Sequence, residues 1–318
     1  MKFLAVSLAL VAACSNAASN VIQRLTNREE QHVRTLSLRL IVDLLHRPLW
    51  FGGLGAVMLS FILQASALRF GPLALVEPLV ICELPLTFLG AALVLHAPLG
   101  WREWGAAAVM TAGLAALVTF LGPRGGIDQR VHPLVWAIGL AASIGAVAGF
   151  VLAGWRADGD TRAAFYGAAT GIEFGLTAAL MKGTVVQLSS GIVSLFYAWQ
   201  TYAMIAAGVL GMFLVQNAMQ SGKIVAAQPG ITLLDPFVAI AWGIFAFNER
   251  TSDTGLHLAL STAGGLLMVG GAMLLSRSPI LEHDGTRAGR NGAAGRAGAT
   301  KSAGDEGPDT GDPERART

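Results

Sequence analysis

The chain has 318 residues, 53% of them hydrophobic and 13% charged, with a formal net charge of +2. Soluble domains average about 25% charged residues, so the composition excludes one and points to a polytopic membrane protein. The small net charge gives no basis for a nucleic-acid partner. Cys14 and Cys82, each inside an apolar run, form no disulfide framework and no metal-ligand spacing.

Met1 to about Gln23 is the first apolar segment. Val11-Ala12-Ala13-Cys14 resembles a lipoprotein cleavage box, but Lys2 is the only basic residue before it and the apolar run continues through Ala17, Ala18, Val21 and Ile22. A retained first helix is therefore expected. From Ile22 to Arg47 the chain carries Arg24, Arg28, Arg34, Arg39 and Arg47, with Val33, Leu36, Leu40, Ile41 and Leu44 at helical spacing. That pattern predicts an amphipathic helix in the headgroup layer, basic face outward.

Pro48 to about Leu68 is the second span, with Gly52, Gly53 and Gly55 read as close-packing residues. Pro72 to about Leu95 is the third and holds Glu77, Pro78, Glu83 and Pro85. Trp101–Leu121 is the fourth, and Pro133–Ala153 the fifth. Ala163 to about Lys182 is the sixth, with Glu173 in its middle. Tyr197–Ala218 is the seventh, with Gln200, Gln216 and Asn217. Ile224–Phe247 is the eighth, with Gln228, Pro229, Asp235 and Pro236. After the Asn248-Glu249-Arg250 turn, about Leu256–Leu275 is the ninth. Residues 277–318 lack apolar periodicity and read as a disordered hydrophilic tail.

The third span recurs in the eighth. Adding 151 carries Gly71 onto Gly222, Pro78 onto Pro229 and Pro85 onto Pro236, and the register continues with Thr111-Ala112-Gly113 onto Thr262-Ala263-Gly264. Glu77 falls on Gln228, and Glu83 one residue short of Asp235. The first segment also matches the sixth, with Ser19 over Thr177 and Arg24 over Lys182. The expected fold is all-α: a polytopic bundle of about nine transmembrane helices built from two inverted repeats, about 1–153 and 161–276. Five arginines between spans one and two, against Arg124 and Arg130 after span four, place the N-terminus outside and the C-terminus in the cytoplasm, across the cell membrane.

Four acids lie within spans: Glu77, Glu83, Glu173 and Asp235. A carboxylate at the centre of a spanning helix costs about 3 kcal/mol on insertion scales, so such acids are expected to face a partner or a solute path. Gln228, Gln200, Gln216 and Asn217 either line that path or bond helix to helix. Pro78, Pro85, Pro229 and Pro236 are expected to break the helices at corresponding places, the sequence pointer to a central binding site. Glu249-Arg250 reads as an interfacial ion pair, and Lys182 as a snorkelling lysine. No metalloprotease helix, nucleophile elbow or phosphate-binding loop occurs, so an enzyme is not expected. No metal site is assigned and no cofactor is expected.

The paired proline-containing spans, the Phe247-Asn248-Glu249-Arg250-Thr251 turn and the Gly-rich last span resemble the drug/metabolite transporter superfamily, EamA-type. Nine spans and the stretch Ala67-Leu68-Arg69-Phe70-Gly71-Pro72…Pro78-Leu79 are similar to its NIPA-type magnesium transporter branch. The resemblance implies two inverted halves around a central pathway, alternating access, and a small-molecule or cation substrate. The chain departs from ten-span members in lacking the last span. The expected partners are the lipid bilayer and that substrate; a homodimer and a non-transporting scaffold stay open.

Overall fold

The computed structural model describes residues 2–29, 48–95, 100–126, 130–188, 190–222, 224–252 and 254–276. The basic stretch beyond Glu29 and the tail from 277, with the amphipathic and disordered readings made for them, lie outside the described residues. Met1–Ser276 forms one compact unit.

The described elements are α1 (Lys2–Glu29), α2 (Pro48–Phe70), α3 (Leu73–Val80), α4 (Glu83–Leu95), α5 (Trp101–Leu121) and α6 (Pro133–Trp155). They continue with α7 (Gly159–Leu188), the one-turn α8 (Ser194–Tyr197), α9 (Trp199–Ser221), α10 (Ile224–Phe245) and α11 (Gly255–Ser276). Among the described residues, eight stretches are long and apolar enough to cross a membrane, with α3 and α4 together making one of them. The protein is therefore a multi-pass helical bundle.

The expected sixth span, α7, is not among those eight. The reason lies in its surroundings. Helix α7 packs against α6, α9 and α10 and also reaches α2 and α3, and it is buried along most of the stretch from Ala163 to Val186. A helix screened from lipid by its neighbours need not be apolar all round, and this one buries Glu173 and Lys182.

Two helix pairs set the frame. On α5 and α11, Gly113, Gly264 and Gly271 bring backbone to backbone: a Cβ at Gly264 would lie 2.6 Å from Leu117 N and 2.8 Å from Gly113 O. On α7, Gly171 meets α10 in the same way, where a Cβ would lie 2.6 Å from Gly230 O. Small residues that let backbones approach are the usual means of helix association in lipid, where no hydrophobic force drives helix against helix. Gly52 and Gly55 serve no such contact, since added Cβ atoms there would meet nothing within 4 Å.

The four prolines act unequally. The regular α-helical hydrogen bonding lapses into tighter turns at Ile81–Cys82, between α3 and α4, where Cys82 N bonds Leu79 O at 3.1 Å. Pro85 cannot donate to the Ile81 carbonyl four residues back; Leu84 N takes that carbonyl instead at 3.1 Å, in a tighter turn. Pro78 lies inside α3 without ending it. Helix α10 runs unbroken through Pro229 and Pro236, which corrects the expectation of matched breaks in both copies. It packs closely on α7 at Gly171 and Gly175.

Candidate functional site

The four in-span acids are linked electrostatically through Asp235. Asp235, on α10, lies within electrostatic reach of Glu77 on α3, Glu83 at the start of α4 and Glu173 on α7. Glu77 and Glu83 also feel one another across the helix break. Glu77 and Glu173 are buried. The break brings the first two together: it ends α3 one turn after Glu77 and restarts the chain at Glu83.

Three of the acids have neutral polar partners. Gln64 Nε2 on α2 donates to Glu77 Oε2 at 3.1 Å. Thr177 Oγ1, one turn along α7, donates to Glu173 Oε1 at 2.7 Å. Asn16 Nδ2 on α1 donates to Glu83 Oε2. The remaining oxygens are less well served. Glu173 Oε2 and Asp235 Oδ1 are buried with no hydrogen-bond partner among the described residues. Buried polar atoms are paired in the great majority of cases, so each orphaned acid oxygen marks a place that takes a proton, a water or a solute. Among the described residues, no group of three or more His, Cys, Asp or Glu is placed to hold a metal ion directly.

The amide candidates are spent elsewhere. Gln228 Nε2 donates to Thr232 Oγ1 at 3.2 Å and Asn217 Nδ2 to Phe213 O at 2.7 Å, each within its own helix. Gln216 is exposed. Gln200 is buried, with no hydrogen-bond partner for Oε1 among the described residues, beside a small cavity of about 30 Å³ lined also by Arg130, Trp136, Gln187 and Phe247. These four therefore do not join the acid centre through their amides.

Sequence reasoning missed Asn16, Gln64 and Thr177. Asn16 left a readable signal. Asn16 and Asn20 are one turn apart on α1, as Glu83 and Thr87 are on α4, and Asn20 Nδ2 reaches Thr87 Oγ1 at 3.5 Å. On the adjoining face of α1, Ser15 and Ser19 donate to Ala56 O and Gly53 O of α2, each at 2.9 Å. The first apolar segment thus carries a polar stripe that ties α1 to both its neighbours.

Lys182 and Glu249 differ most from expectation. Neither snorkels nor anchors: both side chains are fully buried and their charges lie 3.5 Å apart. Lys182 Nζ donates to Gly71 O at 2.7 Å. Glu249 accepts Leu73 N on Oε1 at 2.5 Å and Ala74 N on Oε2 at 2.9 Å, the first free N–H groups of α3. Burial pushes the Glu249 carboxyl above the ordinary range; Lys182 and the two backbone donors pull it back down without cancelling the rise. The turn carrying Glu249 is held by Arg124 and Arg250, which exchange backbone bonds of 2.9 and 2.8 Å.

No family model matches the chain. It is 25% identical over 286 residues to an uncharacterized protein of Corynebacterium glutamicum, in an alignment covering 88% of this chain and 97% of that protein. No solved structure matches it. The similarity spans nearly the whole of both chains, and the relative's description names no activity.

Proposed function

We propose that the protein is a transporter that carries a small solute by alternating access, in the manner of the drug/metabolite transporter superfamily, with Glu77, Glu83, Glu173 and Asp235 as its central site. One observation carries this reading: Asp235 lies within electrostatic reach of three other buried or half-buried acids, and among the described residues one oxygen each of Asp235 and Glu173 has no hydrogen-bond partner. A purely structural bundle could place leucine at all four positions without the insertion cost of about 3 kcal/mol for each charge.

An inverted repeat of nine spans is part of the proposal, with α7 counted as a span. The helix contacts support it. The 151-residue offset relates α5 to α11 and α3 to α10, and each of these related pairs packs together. Helix α1 packs on α2 and on the broken pair α3–α4, as α7 packs on α9 and α10. A pseudo-two-fold axis in the membrane plane would produce both patterns. The basic-residue count puts the N-terminus outside and the C-terminus in the cytoplasm of a cell-membrane protein.

The substrate is a cation or a neutral metabolite exchanged for protons. Two acid oxygens with no hydrogen-bond partner among the described residues, beside three amide or hydroxyl partners, suit a site that exchanges protons. A second reading, a NIPA-like divalent-cation carrier, draws on the number of acids; the ion would retain part of its water shell, as magnesium does. A thermal-stability screen of purified protein against magnesium and a panel of metabolites separates the two. Stabilisation by a solute that is lost in Asp235→Asn supports the site. A panel in which no solute stabilises the protein, or in which Asp235→Asn responds like wild type, counts against it.

A further inference from the structure

We propose that Lys182 and Glu249 form a latch that holds one end of the pathway shut and yields when the acid centre is filled. The proposal rests on the transport reading above and assigns a moving part to it.

The latch joins elements from the two halves of the chain. Glu249 follows α10 and Lys182 lies on α7, yet both grip the segment between α2 and α3. Lys182 Nζ holds Gly71 O at 2.7 Å, and the Glu249 carboxylate holds Leu73 N and Ala74 N at 2.5 and 2.9 Å. Four charge-assisted contacts in a dry site bind strongly while formed, since a charged acceptor of backbone N–H groups is about twice as effective as a neutral one. They have only two arrangements of low energy, closed as here or hydrated and open, because a half-broken buried pair leaves a charge stranded. That is the behaviour required of a gate rather than of a hinge.

The latch and the acid centre share their supports. Helix α3 starts in the latch at Leu73 and carries Glu77 one turn later. Helix α7 carries both Glu173 and Lys182. Helix α10 carries Asp235, and its Gly243 carbonyl accepts Glu249 N at 2.9 Å. Any shift of α3 relative to α7 and α10 that follows charge neutralisation at the centre therefore pulls on all three anchor points of the latch. The far ends of α3 and α10 act as short rigid levers between site and gate.

Hydrogen exchange of the full chain in lipid nanodiscs reads the latch without needing a known substrate. In wild type the amides of Leu73 and Ala74 are protected. Glu249→Gln should speed their exchange about tenfold, as expected when a charged acceptor of two backbone donors becomes neutral, while the α5–α11 peptides stay unchanged. Lys182→Gln, which keeps a donor for Gly71 O, serves if the first variant does not fold. The deciding variant is Glu173→Gln, which removes one of the centre's four carboxyls without altering a residue of α3 or of the latch: exchange at residues 71–76 should rise at least threefold. Ser143→Ala removes a 3.2 Å bond from Trp242 Nε1 on α10 and should leave residues 71–76 as they are. Wild-type exchange at 71–76 in Glu173→Gln, or an equal rise in Ser143→Ala, overturns the gate and leaves a static strut or a general loosening. Either result is independent of whether a solute moves, so failure of the latch and failure of the transport reading are told apart.

Discussion

Lys182 Nζ and Glu249 Oε1 face each other at 3.5 Å in a site that solvent does not reach. Removing one partner strands the other, at a cost of about 3–5 kcal/mol for a buried pair. Lys182→Met and Glu249→Leu should each destabilise the protein by that order. The double variant should cost clearly less than their sum, because no charge is then left alone. Denaturant or thermal unfolding in detergent gives all four corners of this cycle; strict additivity would mean that the two charges do not interact.

The same pair sets a pH response. The folded Glu249 carboxyl titrates above its unfolded value because burial outweighs Lys182 and the two backbone donors. A raised carboxyl stabilises the fold fully below the unfolded value, near 4.3, and that contribution is lost as pH rises through the folded value. Glu249→Gln should therefore flatten the fall in melting temperature as pH rises above the unfolded carboxyl value, relative to wild type. An unchanged slope would show that Glu249 titrates as an ordinary surface acid.

Backbone contact between α5 and α11 leaves no room at Gly264, where a Cβ would lie 2.6 Å from Leu117 N. Gly264→Ala should destabilise the protein by about 1–3 kcal/mol, in the range of overpacked cores. Gly52→Ala, where a Cβ meets nothing within 4 Å, should be neutral or slightly stabilising through helix propensity. Equal effects at the two sites would contradict the packing described here.

Much of this arrangement was legible before any coordinates. Apolar run length delimits α2, α5, α6, α9 and α11 to within a few residues, because lipid demands about 20 apolar residues per crossing. The four acids were legible one by one as in-span carboxyls, since each is costly in hydrocarbon. What sequence did not supply is partner geometry. Lys182 and Glu249 look like interfacial residues because hydropathy places them near span ends, and nothing local reveals that both turn inward onto Gly71, Leu73 and Ala74. Pro229 and Pro236 look identical to Pro78 and Pro85 in sequence; α10 runs unbroken through them, packed closely against α7, which no local pattern records. Asn16 was overlooked because a single amide in an apolar run is common, and only its register with Asn20, Glu83 and Thr87 gives it meaning.

Asn16 gives a local test of the site. Its amide donates to Glu83 Oε2, and a hydrogen bond to a charged group contributes about 1.5–3 kcal/mol. Asn16→Leu should lower stability by that order and weaken solute-induced stabilisation. Asn16→Gln, which keeps the donor on a longer arm, should recover part of both. A variant indistinguishable from wild type in both readouts would remove Asn16 from the site.

The central claim is that a solute crosses the membrane at the acid centre around Asp235. Solute uptake into proteoliposomes tests it most directly, with wild type compared with Asp235→Asn and Glu173→Gln, using the solute that stabilises the purified protein. The account predicts uptake by wild type, a loss of at least tenfold in both variants at equal reconstitution, and a flattened dependence on pH across about 5.5–8, the range that spans buried carboxyls. Wild-type uptake by both variants throughout that range, or no protein-dependent uptake of any solute in the panel, would contradict it.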